Sequence, residues 1–341
     1  MTDKAGRSNA GVKWEGTMKA GIFLAALAAA GISAFGASAQ TKLKFAHVYE
    51  TSEPYHTETV KAADEIKKRT NGKYVVEVFP ASSLGNENQI NQALPLGTVD
   101  MIYTGAAFAG NSYKPLAISN APFIFRDYAH WQAYAKSDLL REFWDGYAKV
   151  TGNKIVGITY YGARHTTANK AINVPADMKG MKLRVPPAPL FIMFTKAVGA
   201  NATPIAFAEV YLALQNGTVD GQENPLPTIK AKKFYEVQSH INLTGHIMES
   251  LMTVIGGPLW NRLTPDERKI FEEELSASAA RASAQIREAE LKAPEEFTAL
   301  GKTVVKPDVV AFIEAARPLH NDASAGAGWT REQYDRLQAL K

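Results

Sequence analysis

Two arginines twenty residues apart carry the clearest chemistry in the chain: Arg164, in YYGARHTT after the apolar stretch KIVGIT, and Arg184, in KLRVPPAP. A guanidinium offers a planar fork of donors that matches a carboxylate, and it keeps its charge at any physiological pH. In an open α/β sheet ligands collect beyond the carboxyl ends of strands, where both arginines are expected. A single such arginine is more simply a structural ion pair with a neighbouring Asp or Glu; two at successive strand ends point to an anion site.

Other chemistries lack a signature. There is no cysteine, and H-E-x-x-H, G-x-S-x-G and G-x-x-x-x-G-K-[ST] are all missing. No two of the seven histidines stand three or four apart in a helix-like segment, so no metal or cofactor is expected. Catalytic groups can still converge from distant positions. The net charge is only +4 with the basic residues scattered, which gives no track for phosphates and argues against a nucleic-acid partner.

The elements that must position the arginines read as α/β. A first strand over Lys42–Val48 is followed by a helix opened by Pro54, with Val60, Ala63 and Ile66 at helical spacing and Asn71-Gly72 as its stop. YVVEVF, Tyr74–Phe79, is the next strand, and together they form a βαβ unit of a mostly parallel sheet. The pattern L-x-x-G-T-V-D occurs at Leu94–Asp100 and again at Leu214–Asp220, each Gly standing where a helix ends before a strand begins. Two matched connections favour two similarly built α/β lobes over one sheet. Thr264-Pro265-Asp266-Glu267 starts a helix expected to run to about Pro294, roughly 43 Å and long enough to cross both lobes, with Ala277, Ala280 and Ala284 as a small-residue face.

Residues 1–39 read as an export signal. Lys4, Arg7, Lys13 and Lys19 precede an apolar run from Gly21, and Ala37-Ser38-Ala39 is a small-x-small cleavage pattern, so cleavage before Gln40 is expected and Met18 is a candidate start. The signal holds four basic and two acidic residues, leaving 34 and 32 and a net +2. No later segment reaches the eighteen or so apolar residues that span a bilayer. An exported chain without disulfides must rely on its core, which about 300 residues allow.

The strand KLKFAHV, then FPASSLGNENQINQALPLGTVDM, ISNAPFIF, DMKGMKLRVPP and TPIAFAEVYLALQNGTVDGQENPLPTI resemble the solute-binding component of tripartite ATP-independent periplasmic (TRAP) transporters of the dicarboxylate-binding type, over essentially the whole mature chain. The resemblance implies a two-lobed, periplasmic-binding-protein-like α/β fold, each lobe a mostly parallel sheet flanked by helices, with the long helix spanning both. Lobe I is then residues 40–162 and 250–290, and lobe II residues 163–249 and 291–341. It also implies that Arg184 makes the salt bridge selecting a solute carboxylate, that Arg164 is the second arginine, that Asn224 hydrogen-bonds the same carboxylate, and that Phe207 packs on the solute. The prolines after Arg184 would stiffen the backbone holding it.

From the first lobe the candidates are His47, Tyr49 and Glu50 after the first strand, Asn86 after the second, and Tyr103 with Thr104 after VDMIY. Glu50 facing an anion would repel it unless it accepts hydroxyl hydrogen bonds; with Tyr49, His56 and Asn86 it suggests a sugar acid such as a uronate, ahead of a C4-dicarboxylate. The expectation is a monomeric periplasmic protein, not an enzyme, that closes on a small organic acid and presents it to the small and large TRAP membrane subunits. The alternatives are a periplasmic enzyme with His165 or His47 as general base, and a ligand-sensing partner of a signalling receptor.

Overall fold

The computed structural model describes residues 40–341, so the expected export signal lies outside the described residues. The first strand, β1 (Thr41–Ala46), leads through α1 (Pro54–Arg69) to β2 (Tyr74–Phe79), then α2 (Glu87–Ala93) and β3 (Met101–Gly105). β1 lies between β2 and β3, parallel to both. After α3 (Ala106–Ala109), α4 (Tyr128–Ala135) and α5 (Asp138–Thr151) comes the long strand β4 (Lys154–Ala168). The first arrangement is then repeated. β5 (Lys182–Val185), α6 (Ile192–Val198), β6 (Asn201–Pro204), α7 (Val210–Gln215) and β7 (Gly221–Pro225) place β5 between β6 and β7, again parallel to both.

The repeated L-x-x-G-T-V-D is the hinge pin of this symmetry. Gly97 and Gly217 close α2 and α7 in the left-handed region, at φ 71° and 72°. Asp100 accepts the backbone N–H of Lys44 at 2.8 Å, and Asp220 accepts that of Lys182 at 2.8 Å. The N–H of each Asp returns a bond to the carbonyl of the same lysine, at 3.0 and 2.9 Å. The two βαβαβ units are thus stitched by the same pair of bonds.

They do not form separate sheets. After α8 (Leu226–Ala231), β8 (His240–Ile255) runs antiparallel to both β3 and β4, while β4 pairs antiparallel with β7. The order is β2-β1-β3-β8-β4-β7-β5-β6, one continuous sheet in which each parallel triplet is joined to the other through two antiparallel strands of 15 and 16 residues. The β4–β8 ladder shifts register three times, at Ile155/Gly157, Tyr160/Gly162 and Arg164/Thr166, and such bulges bend a strand.

α9 (Gly257–Trp260) leads into α10 (Pro265–Ala299), capped by Thr264 and Glu267 as their spacing predicts. α10 has 35 residues and continues past Pro294 for a further turn. Its buried small residues are Ser278, Ala279, Ala282, Ser283 and Ala293, while Ala280 and Ala284 are exposed, so the packing face is turned from the expected one. The close approach shows at Gly157 of β4, where a Cβ would stand 3.2 Å from that of Ala279. α1 lies on α10 through the buried Glu58, which accepts from Lys61, Arg281 and Gln285 at 2.6, 2.5 and 2.8 Å. Its buried face is Tyr55, Thr59, Ala62, Ala63 and Ile66, with Val60 exposed.

β9 (Thr303–Val305) pairs with the start of β8. α11 (Val309–Ala316) packs on α6, but α12 (Arg331–Gln338) lies against α5, where Arg336 meets Glu142 at 2.8 Å and Gln338 donates to the Ile124 carbonyl at 2.7 Å. The tail therefore contacts elements of both halves.

Candidate functional site

The loops that leave β1 and β5, and the N-termini of α2 and α7, meet at a small cavity. Val48 and Tyr49 line it from the first unit and Pro186 and Pro187 from the second. Asn86 and Glu87 precede and open α2; Ala206 and Phe207 stand just before α7 and line the opposite unit's share. Counted back from the leucine of each L-x-x-G-T-V-D, Glu87 and Phe207 hold the same place in the two repeats.

The two arginines, both buried, differ sharply in partners. Arg184, 1% exposed on β5, gives Nε and Nη2 to the carbonyl oxygen of Ile205 at 2.9 and 2.7 Å; its Nη1 is buried with no partner, and the side chain makes no ion pair among the described residues. Burial pulls its guanidinium down to about 10, with Arg164 pulling the same way and Glu223 opposing, so it stays charged at neutral pH. A buried charge with one donor unmet is a costly feature unless a ligand meets it.

Arg164 is not at a strand end. β4 continues past it, and the guanidinium lies among the protein's own acids. Nε binds a Glu223 carboxylate oxygen and Nη1 a Glu249 oxygen, while Nη2 donates to Glu223 Oε1 at 2.7 Å and to its carbonyl at 2.6 Å. Burial disfavours its charge, but Glu223 and Glu249 outweigh that and hold the guanidinium above its ordinary value. Burial raises Glu249, against Arg164, whereas at Glu223 the attraction of Arg164 and His246 overcomes burial and lowers it. His246 completes the network, with Nε2 3.2 Å from Glu223 and its ring stacked 3.8 Å from Phe194.

Asn224 lines the cavity, its amide donating to Gln222 at 2.5 Å and its oxygen accepting from Tyr161 at 3.4 Å. Tyr49, Tyr161 and Phe207 form an aromatic wall across the two units, Tyr49 lying 5.3 Å from Tyr161 and 6.2 Å from Phe207 between ring centres.

The remaining first-unit candidates lie elsewhere. Glu50 is outside the cavity lining and reaches the other half, where Lys232 meets it at 2.7 Å with its Nζ 5.2 Å over the Phe207 ring. Tyr103 is core, accepting from Thr59 at 3.0 Å. His47 pairs with His56 at 3.2 Å behind the wall, pushed down to about 3 by burial and by His56. His165 is likewise lowered to about 3, by burial and by His246, and accepts the Gly245 N–H at 2.9 Å. Neither histidine lines the cavity. Glu87 and Glu249, which do, were not singled out from sequence, although the matched position of Phe207 in the second repeat marks Glu87.

Paired βαβαβ units on one sheet, meeting at a cavity lined by a buried guanidinium, define an α/β solute-binding protein. The chain is 31% identical over 296 residues, 87% of its length and 92% of the relative's, to the sialic acid-binding periplasmic protein SiaP of Vibrio cholerae. It superposes with a TM-score of 0.84 on a TRAP periplasmic solute-binding protein of Polaromonas sp. JS666 bound to D-erythronate, at 30% identity over 89% of this chain and 99% of that one. A TRAP solute-binding protein of Shewanella oneidensis with bound succinate gives the same score at 26% identity, again over 89% and 99%. Residues 45–326 match the bacterial extracellular solute-binding protein family 7, DctP, and the chain belongs to that family. Its members are periplasmic solute-binding components of transport, not enzymes.

Proposed function

We propose that this protein, exported to the periplasm after cleavage before Gln40, captures a small carboxylate-bearing solute between its two halves. It acts as a monomer and delivers the solute to the small and large membrane subunits of a TRAP transporter. A sugar acid is favoured, ahead of a C4-dicarboxylate or other organic acid. One observation carries the reading: Arg184 is buried at the cavity, charged, and holds a donor that the described residues leave unmet. The solute carboxylate docks there, flanked by Arg164 and Asn224, with Phe207 against its carbon skeleton.

Closure brings the parallel triplets together, lobe I being residues 40–162 with 250–290 and lobe II residues 163–249 with 291–341. Exclusion of water then strengthens the charged contact. A general-base enzyme is disfavoured because His47 and His165 stand off the cavity. The test is a thermal-shift screen over sugar acids, hydroxy acids and dicarboxylates, since a ligand of the native state raises the melting temperature. A carboxylate that stabilises and is recovered unchanged supports the proposal; turnover of the bound acid, or stabilisation by no acid, overturns it.

A further inference from the structure

Behind the aromatic wall two histidines form a chain of hydrogen bonds whose direction is fixed. The Tyr49 N–H donates to His47 Nδ1 at 3.2 Å, its one acceptor among the described residues. A backbone amide can only donate, so His47 Nδ1 carries no proton and the hydrogen of the neutral ring sits on Nε2. That Nε2 lies 3.2 Å from His56 Nδ1, which must then accept, leaving the His56 hydrogen on its own Nε2. His47 is 1% exposed, whereas His56, on α1, is half-buried, so a proton from solvent meets His56 first.

The chain has no place for a second proton. A charged His56 presents Nδ1–H to the Nε2–H of His47; if His47 moves its hydrogen to Nδ1 in order to accept, that hydrogen faces the Tyr49 N–H instead. Either way two donors oppose each other and one bond is lost. More than Tyr49 depends on this bond. The Tyr49 carbonyl accepts the Ala81 N–H at 2.9 Å, and the His47 carbonyl accepts that of Ser82 at 3.2 Å. Ala81 and Ser82 stand at φ 51° and 61°, in the left-handed region that such residues hold only where their surroundings impose it. Their turn leads on to Asn86. The two histidines thus support both first-unit segments that line the cavity, Val48–Tyr49 and Asn86–Glu87.

We propose that His56 is a positioning residue for solute capture: acting through His47, its neutral imidazole holds the Tyr49 loop in the form that binds, and its protonation loosens that loop and weakens the hold on the solute. This rests on the reading of the cavity as the solute site. Burial lowers His56 below its ordinary 6.5, so capture is full at neutral pH and is lost as pH falls through the depressed value. The other ionisable groups packed against the pair are Tyr49 in the same loop, Tyr55 on α1 and Tyr103 from β3, all raised by burial and neutral throughout this range. Glu53, before α1, turns its carboxyl to Thr228 and the Glu50 N–H instead. Glu53, Glu87 and His246 have shifted values of their own, but they are common to wild type and a His56 variant, so the difference between the two isolates His56.

The experiment compares wild type with His56→Asn, whose Oδ1 stands in the place of Nδ1 and accepts from His47 without titrating. Heteronuclear NMR of the ligand-free protein and calorimetry with D-erythronate, D-galacturonate and succinate are run from pH 5 to pH 8. Both rings are expected in the Nε2–H tautomer at pH 7.5, with the Tyr49 amide resonance following the His56 titration curve. Affinity for an acid that binds should fall about tenfold from pH 7 to pH 5 in wild type and no more than about twofold in His56→Asn, the two agreeing at pH 8. Should the variant not fold by circular dichroism, the wild-type resonances decide, the Tyr49 amide either tracking His56 or not. An Nδ1–H tautomer at His47, a Tyr49 amide indifferent to His56, or one pH profile shared by both proteins overturns the proposal while leaving the Arg184 anchor standing. Binding of none of the three acids at pH 8 overturns the organic-acid reading of the cavity, and this proposal with it.

Discussion

Ile205 holds Arg184 by a single carbonyl oxygen that accepts from both Nε and Nη2, at 2.9 and 2.7 Å. One edge of the guanidinium fork is thereby fixed, and the free Nη1 is aimed without cost at the moment of binding. Preorganisation of this kind is bought with stability, because the charge is buried whether or not a solute is present.

Two opposite effects are expected from Arg184→Met. Calorimetry with the solute found by screening should show a loss of about 100-fold or more, since truncating one partner of a buried charge pair costs roughly 2–5 kcal/mol. The ligand-free variant should nonetheless melt no lower than wild type, because an uncompensated buried charge has gone. Arg184→Lys should bind almost as poorly, an ammonium lacking the planar fork.

Removing an acid from Arg164 should have the reverse profile. Glu223→Gln leaves a buried guanidinium short of a charge partner and is expected to cost about 3–5 kcal/mol in denaturant unfolding. A loss below about 1 kcal/mol would show that Glu249 alone satisfies Arg164.

Glu50 and Lys232 join the halves at the rim, partly exposed. Glu50→Gln should weaken solute binding only a few-fold, about 1 kcal/mol, and the wild-type affinity should fall with added salt while the variant's does not. A loss as large as that of Arg184→Met would instead make Glu50 a direct contact.

Glu53 offers a pH test that needs no ligand. Burial raises its carboxyl to about 7, against hydrogen bonds from Thr228 at 2.7 Å and the Glu50 N–H at 2.8 Å. The folded state holds this proton more tightly than the unfolded one, so the stability it contributes is full below about 4.5 and is lost as pH rises toward 7. Urea unfolding between pH 5 and pH 8 should show a decline that Glu53→Gln reduces, each unit of separation being worth about 1.4 kcal/mol.

Much of this was legible because it is local. The helix cap at Thr264, the strand Tyr74–Phe79 and the doubled L-x-x-G-T-V-D depend on neighbouring residues, and all are present in the fold. The mates of Arg164 were not legible. Glu223 and Glu249 stand 59 and 85 residues away, and only the pairing of β4 with β7 and β8 brings them to it. Glu50 and Glu87 illustrate the same limit. Glu50 follows β1 into a loop and Glu87 opens α2, but one turns to a lysine on the far half and the other to the cavity. Pro294 failed as a stop signal because α10 lies against other elements on both sides of it, with Ala293 and Phe297 buried, and such packing outweighs the loss of one backbone bond.

The unbroken strand pairing has a mechanical consequence. Between the triplets the chain travels in β4, β8 and α10, all regular elements, and it crosses once more in the tail between α11 and α12. Whatever prises the crevice apart must therefore flex a hydrogen-bonded ribbon at its three irregular steps, like a leaf spring loaded at its midpoint. Under the proposed closure, uptake and release become elastic events, and the stiffness of two neighbouring strands sets how readily the solute is let go.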